Sequence, residues 1–190
     1  MKRSAAAGLR GVKVKVGKSS IAEDAERLAA VREAVGPDVE VMVDANQAFT
    51  AAEAIRRART YELLGIAWFE ELLPADDLHR HQRLAASTCV PVAVGESFYF
   101  IQRFGDYPAA GAVGIVQVDV ARIGGITPWL KVAHAAEVFN IAGSPRAHVH
   151  PIRHSFQDLE RGGEPDRVRW VGQVGDASND LAGRSACMEE

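Results

Sequence analysis

Cysteine is nearly absent: two residues of 190, Cys89 and Cys187, with no CxxC pair and no histidine cluster beside either. That excludes a cysteine-ligated metal site and a disulfide-built scaffold, and the expectation is two plain thiols in a reducing cytoplasm. Neither sign of charge is in large excess, the formal net charge being -3, so nothing recommends nucleic acid or an anionic membrane as a partner. No apolar run approaches the roughly 20 residues needed to span a bilayer. The opening MKRSAAAGLR is basic but lacks an apolar h-region, which argues against a signal peptide. What is present is a chain 47% hydrophobic, enough for one domain with a sizeable core.

Short apolar runs recur along it: VKVKV (12–16), VEVMV (39–43), IAWFE (66–70), VPVAVG (90–95), GIVQV (114–118) and NIAGS (140–144). Each pair is separated by about the length of a helix and two loops. The intervening segments carry helix start signals. Ser20-Ile-Ala-Glu23 and Thr50-Ala-Ala-Glu53 read as capping boxes, and Thr127-Pro128 as an N-cap followed by proline at the first helical position. The apolar spacing in IAEDAERLAAVREAV and AAEAIRRARTYELL fits helices that cover a sheet with one face. Alternating strands and helices predict an α/β fold with a parallel sheet, and near-continuous apolar strands predict burial on both sheet faces. From about Gln157 the rhythm stops, and 157–190 is expected to be an irregular or disordered tail after a domain over 1–156.

GVKVKVGKS, Gly11 to Ser19, resembles a phosphate-binding P-loop but fails its spacing, because five residues rather than four separate Gly11 from Gly17. Its valines are β-branched and favour a strand over a loop of free N–H groups. The lysines therefore need another reason. Asp44 follows VEVMV, Glu70 closes IAWFE, Glu96 follows VPVAVG and Asp119 follows GIVQV. Together with Lys13 and Lys15, ionisable groups gather at the C-terminal ends of five consecutive strands, the edge where parallel α/β sheets bind ligands. One acid opening a loop is ordinary; five positions in register are not. Asp44, Glu70 and Glu96 are expected to converge on one point, and hard oxygen ligands without His or Cys suit Mg²⁺. Lys13 and Lys15, at i and i+2, share a strand face roughly 7 Å apart. Each is expected to lower the other's pKa and so yield a general base. The plainer alternative is an edge strand kept soluble by its lysines.

VKVKVG, VDANQ, WFEE, VAVGES and VDVARIGGIT, covering about Gly8 to Ser144, resemble the C-terminal barrel domain of the enolase superfamily. The branch is that of mandelate racemase and muconate lactonizing enzyme, on the acid-sugar dehydratase side. The resemblance implies a (β/α) TIM-type barrel, here incomplete with about six recognisable units and without the N-terminal capping domain. It implies a Mg²⁺ cofactor held by Asp44, Glu70 and Glu96, with Lys15 as the base, Lys13 tuning it, and Asn46 and Glu71 supporting the site. Asp119 would orient a histidine on the next strand. The activity implied is abstraction of the proton α to a carboxylate, as in dehydration or racemisation of a sugar acid.

The chain departs from that pattern in four places. Arg146 stands after Ser144-Pro145, where the acid/base histidine is expected, and arginine does not release its proton near neutrality; His148 and His150 lie just beyond. After Arg146 the text no longer follows the family. The family's cap and first barrel strand are not recognisable in this text. Leu72 replaces the usual proline after WFEE. Six strands would leave two open edges, to be closed by Met1–Arg10 and the tail or by homo-oligomerisation. Two other functions are compatible with parts of the text: a non-catalytic Mg²⁺-binding relic, and an open α/β nucleotide-binding domain. The second lacks a glycine-rich phosphate turn, and Gly124-Gly125 alone does not supply one.

Overall fold

The computed structural model describes residues 11–139, 141 and 168–171. Five parallel strands are β1 Gly11–Lys15, β2 Glu40–Asp44, β3 Ile66–Glu70, β4 Val92–Val94 and β5 Ile115–Val116. The helices that follow them are α1 Ile21–Val35, α2 Ala51–Glu62, α3 Leu78–Ala85, α4 Arg103–Ala109 and α5 Ile126–Val138. A sixth strand, β6 Val168–Val171, pairs antiparallel with β1, giving the order β5-β4-β3-β2-β1-β6.

β6 corrects the expectation of an irregular segment from 157 onward. VRWV has β-branched and aromatic residues that suit a pleated edge, and β1 offers unpaired backbone groups on its outer side. A four-residue run inside Gly- and Asp-rich text is too short for periodicity to reveal. The NIAGS strand expected at 140–144 lies outside the described residues except for Ile141, which is buried in the core.

Each helix buries one stripe. In α1 it is Asp24, Leu28, Val31 and Val35; in α2 it is Ala51, Ala54, Arg57, Ala58 and Tyr61. These meet Val12, Val14, Val41, Val43, Phe69, Val92 and Val94 from the strands in the main core. On the opposite sheet face a smaller cluster of Met42, Ala67, Trp68 and Ala93 lies among the polar groups. A register shift between Val41 and Val43 sets Asp44 opposite Glu70.

Two helix starts differ from expectation. Ser20 occupies the N-cap of α1 without a side-chain cap bond; the preceding loop is held by the Asp24 carboxylate, which takes the Gly17 and Lys18 amides at 2.8 and 3.0 Å. The cap of α5 is Gly125, at φ 113°, rather than Thr127. Thr50 does cap α2, accepting from the Glu53 amide at 3.3 Å.

His81 of α3 is buried, with Nδ1 2.8 Å from the Asp77 carbonyl and Nε2 without a partner among the described residues. Its ring meets Tyr107 edge-on at 5.3 Å between centroids. Burial lowers its pKa, against a smaller opposing effect of Asp77. The native state therefore holds the neutral ring, while the unfolded chain takes up a proton below about pH 6.5. Stability from this residue is present above that pH and lost as pH falls below it, by up to about 1.4 kcal/mol per pH unit. Urea unfolding at pH 7.5 and 5.5 should show a smaller stability difference in His81→Phe than in wild type; equal differences would mean that the ring titrates normally.

Candidate active site at the C-terminal strand edge

The alternation of β1 turns Val12 and Val14 to the helices and Lys13 and Lys15 to the other face. Parallel register then aligns Lys15, Asp44, Glu70 and Ala93 across four strands. Lys13 Nζ donates to Glu70 Oε1 at 2.6 Å and lies 3.5 Å from Asp44 Oδ2. Lys15 Nζ donates to Asp44 Oδ2 at 2.5 Å and also to Asn46 Oδ1. The two lysines are not equivalent: the Lys13 side chain is 5% exposed and that of Lys15 23%. Lys15 is thus the one that a ligand can reach.

The loops after β2 and β3 are conformationally costly. Asn46, Gln47 and Glu71 have φ of 45°, 63° and 42°, a region that asparagine tolerates and longer side chains avoid. Such residues persist where surrounding bonds over-determine them, and they gather at functional sites. Here the Gln47 amide donates to the Glu71 carbonyl at 2.6 Å, the Glu71 amide to the Ala93 carbonyl at 3.0 Å, and the Asn46 amide to Asp44 Oδ1 at 3.0 Å. Glu71 is buried, and its Oε1 has no partner among the described residues. Gly95, at φ 133°, brings β4 against β5; a Cβ there would lie 2.5 Å from the Gln117 carbonyl oxygen.

Burial pushes Glu70 up to about 7 even though Lys13 opposes it, with Asp44 and Glu96 adding to the rise. Burial likewise raises Glu96, helped by Glu71 and Asp44, and raises Glu71 against the hydrogen bonds from Ser97 and Gln47. Asp44 is held low: burial works to raise it, but Lys13, Lys15 and the Asn46 amide outweigh that. For Lys13 the expectation is corrected. Burial works to lower its pKa, yet Glu70 and Asp44 raise it on balance. The acids rather than the neighbouring lysine set its charge.

Asp44 and Glu70 stand opposite each other in register, and Glu96 lies close enough to raise Glu70 electrostatically. Among the described residues no three His, Cys, Asp or Glu side chains form a group that could hold a metal ion. Lysine ammonium groups, the nearest cations, occupy the carboxylate oxygens of Asp44 and Glu70 instead. Asp119 stands apart, its Oδ1 accepting from the Ala121 and Arg122 amides at 2.7 and 3.1 Å and so capping the turn after β5. Arg146 lies outside the described residues, as do His148, His150 and Cys187. Cys89 is disulfide-bonded rather than a plain thiol; it sits in an exposed bend before β4.

Sequence reasoning missed a buried charge cluster beneath the β1–α1 loop. Asp24, fully buried, accepts from Arg57 at 2.7 Å, Arg27 at 2.9 Å and Tyr61 at 3.3 Å as well as from the Gly17 and Lys18 amides. Arg57 reaches on to the Lys18 carbonyl at 2.7 Å. A charged pair inside two helix stripes reads as solvent-facing until the helices are docked. Gln47 and Ser97 were also overlooked, though Gln47 lies within the VDANQ run.

A family model described as enolase C-terminal domain-like matches residues 1–157. The chain belongs to that family. It is 44% identical over 131 residues to the arabinonate dehydratase of Saccharolobus solfataricus, which covers 69% of this chain and 35% of the relative. A racemase from Streptomyces coelicolor A3(2), solved with bound magnesium, superposes with a TM-score of 0.71 at 37% identity over 73% of this chain and 39% of its own. L-Talarate dehydratase from Polaromonas sp. JS666, solved with Mg and L-glucarate, gives 0.69 at 38% identity, with coverage of 73% and 39%. The chain thus spans little more than a third of these relatives' lengths, and its strands and helices are a sector of a barrel enzyme fold. No described helix is long and apolar enough to cross a membrane.

The residues present fit a divalent cation in ligand type and in charge. Asp44, Glu70, Glu71 and Glu96 act on one another electrostatically, with Lys13 and Lys15 the cations beside them among the described residues, an excess of two negative charges when all are ionised. Carboxylate oxygens alone suit a hard ion such as Mg²⁺.

Proposed function

We propose that this chain binds Mg²⁺ at Asp44, Glu70 and Glu96 and serves to abstract the proton α to the carboxylate of a sugar acid, with dehydration as the leading outcome and racemisation as the related one. The observation that carries this reading is the pairing of the accessible Lys15 and buried Lys13 with Asp44 and Glu70 on three neighbouring strand ends. The relatives' substrates, arabinonate and L-glucarate among them, suggest the substrate class.

Bound Mg²⁺ supplies Lewis-acid stabilisation of the charge that develops on the substrate carboxylate. The chain's own residues do the rest. Lys15 takes the α-proton, and Asn46, bonded to its Nζ, fixes the direction of approach. Lys13 contributes a fixed positive charge beside the developing anion. Engagement of Asp44 by the cation would free Lys15 from its bond to that carboxylate. Glu71 supports Glu70 from the adjoining residue. Asp119, which caps its own turn, would orient a group on the following strand.

A second reading is a Mg²⁺-binding relic without turnover, favoured by Arg146 at the place of the acid/base histidine. One experiment separates the two: thermal unfolding with and without millimolar Mg²⁺ on wild type and Glu70→Gln, followed by α-proton exchange of sugar acids in D₂O by NMR. The proposal expects Mg²⁺ to stabilise wild type alone, by about 2.7 kcal/mol at a hundredfold excess over Kd, and expects exchange. Stabilisation without exchange selects the relic. No stabilisation overturns the metal site.

A further inference from the structure

We propose that Gln47 is the positioning residue that locks together the three loops bearing the candidate metal carboxylates, an inference that rests on the Mg²⁺ site proposed above. Its side-chain Oε1 accepts from the Ala75 amide at 2.8 Å. Its Nε2 donates to Ser97 Oγ at 2.9 Å and to Glu71 Oε2 at 3.3 Å. Its own amide donates to the Glu71 carbonyl at 2.6 Å. Glu71 adjoins Glu70, Ser97 adjoins Glu96, and Gln47 itself follows Asp44 by three residues. One side chain therefore ties the exits of β2, β3 and β4, each beside one carboxylate.

The amide is required in this role. Ala75 N–H only donates and the ionised Glu71 carboxylate only accepts, so the site needs an acceptor and a donor on one planar group. These partners also fix which end of the amide is oxygen. A glutamate would set a second carboxylate against Glu71, and a methionine would fill the space without bonding. The left-handed backbone of Gln47, φ 63°, is unfavourable for a residue of its size and is held by these bonds. Residues that orient metal ligands through such contacts change metal affinity about 10–100-fold when removed.

The test is isothermal titration of Mg²⁺, and of Mn²⁺ as a second probe, into wild type, Gln47→Met and Thr50→Ala at a temperature well below unfolding. Thr50→Ala removes the α2 cap at the far end of the β2–α2 loop and leaves the side-chain bonds of Gln47 intact. The inference expects Kd to rise about 10–100-fold in Gln47→Met and to stay unchanged in Thr50→Ala. Unchanged affinity in Gln47→Met, whatever its stability, overturns it. Should Gln47→Met fail to fold, Ser97→Ala removes one of the three ties, and a several-fold rise in Kd is expected; no rise overturns the inference. Absence of metal binding by wild type is a different failure: it removes the Mg²⁺ site and the inference with it.

Discussion

Arg57→Ala is expected to lower folding stability by about 3–5 kcal/mol, the range found when one partner of a buried ion pair is removed. Arg57 is 2% exposed and Asp24 is 0% exposed. The guanidinium meets Asp24 at 2.7 Å, Glu53 at 2.7 Å and the Lys18 carbonyl at 2.7 Å, and it lies 4.4 Å from the centre of the Phe49 ring. Among the described residues, alanine would leave the buried Asp24 carboxylate with Arg27 as its remaining charged neighbour at 2.9 Å and would take a donor from the Lys18 carbonyl. Native domains have about 5–15 kcal/mol in hand, so the variant loses a large part of its margin. Urea unfolding of the single variants and of Asp24→Ala/Arg57→Ala measures this. The double variant should cost less than the sum of the singles, since no orphaned charge remains. A loss under about 1 kcal/mol for Arg57→Ala would place the pair with solvent-screened surface bridges.

Lys15→Met is expected to reduce α-proton exchange of a sugar-acid substrate about 10²–10⁴-fold, the usual contribution of a positioned general base. Mg²⁺-dependent stabilisation should survive, because Asp44, Glu70 and Glu96 are untouched and one competitor for the Asp44 oxygens is gone. The split between the two readouts is the informative part. Methionine matches the lysine stem in bulk, so packing beside Asn46 changes little. NMR exchange in D₂O together with a Mg²⁺ melt tests both halves. Exchange at the wild-type rate would take the base role away from Lys15, and loss of the Mg²⁺ effect would make Lys15 structural for the metal site.

The strand and helix order, the parallel sense of the sheet and the face each apolar residue buries were legible in the sequence. They depend on local periodicity, on β-branched runs broken by capped amphipathic stretches, and local periodicity is written residue by residue. The same alternation put Lys13 and Lys15 on one face and Asp44, Glu70 and Glu96 at strand exits, so the composition of the candidate site could be read before any fold was seen. Its electrostatics could not. Each lysine was expected to lower the other's pKa, but β-sheet register sets Glu70 and Asp44 against Lys13, and these two buried acids raise it instead. Gln47, the Asp24–Arg57 pair and the β6 strand on the edge of β1 stayed hidden for the same reason. Each acquires its partner from another loop, helix or strand, and which polar groups meet, how dry they are and what charge they keep is decided when those elements pack.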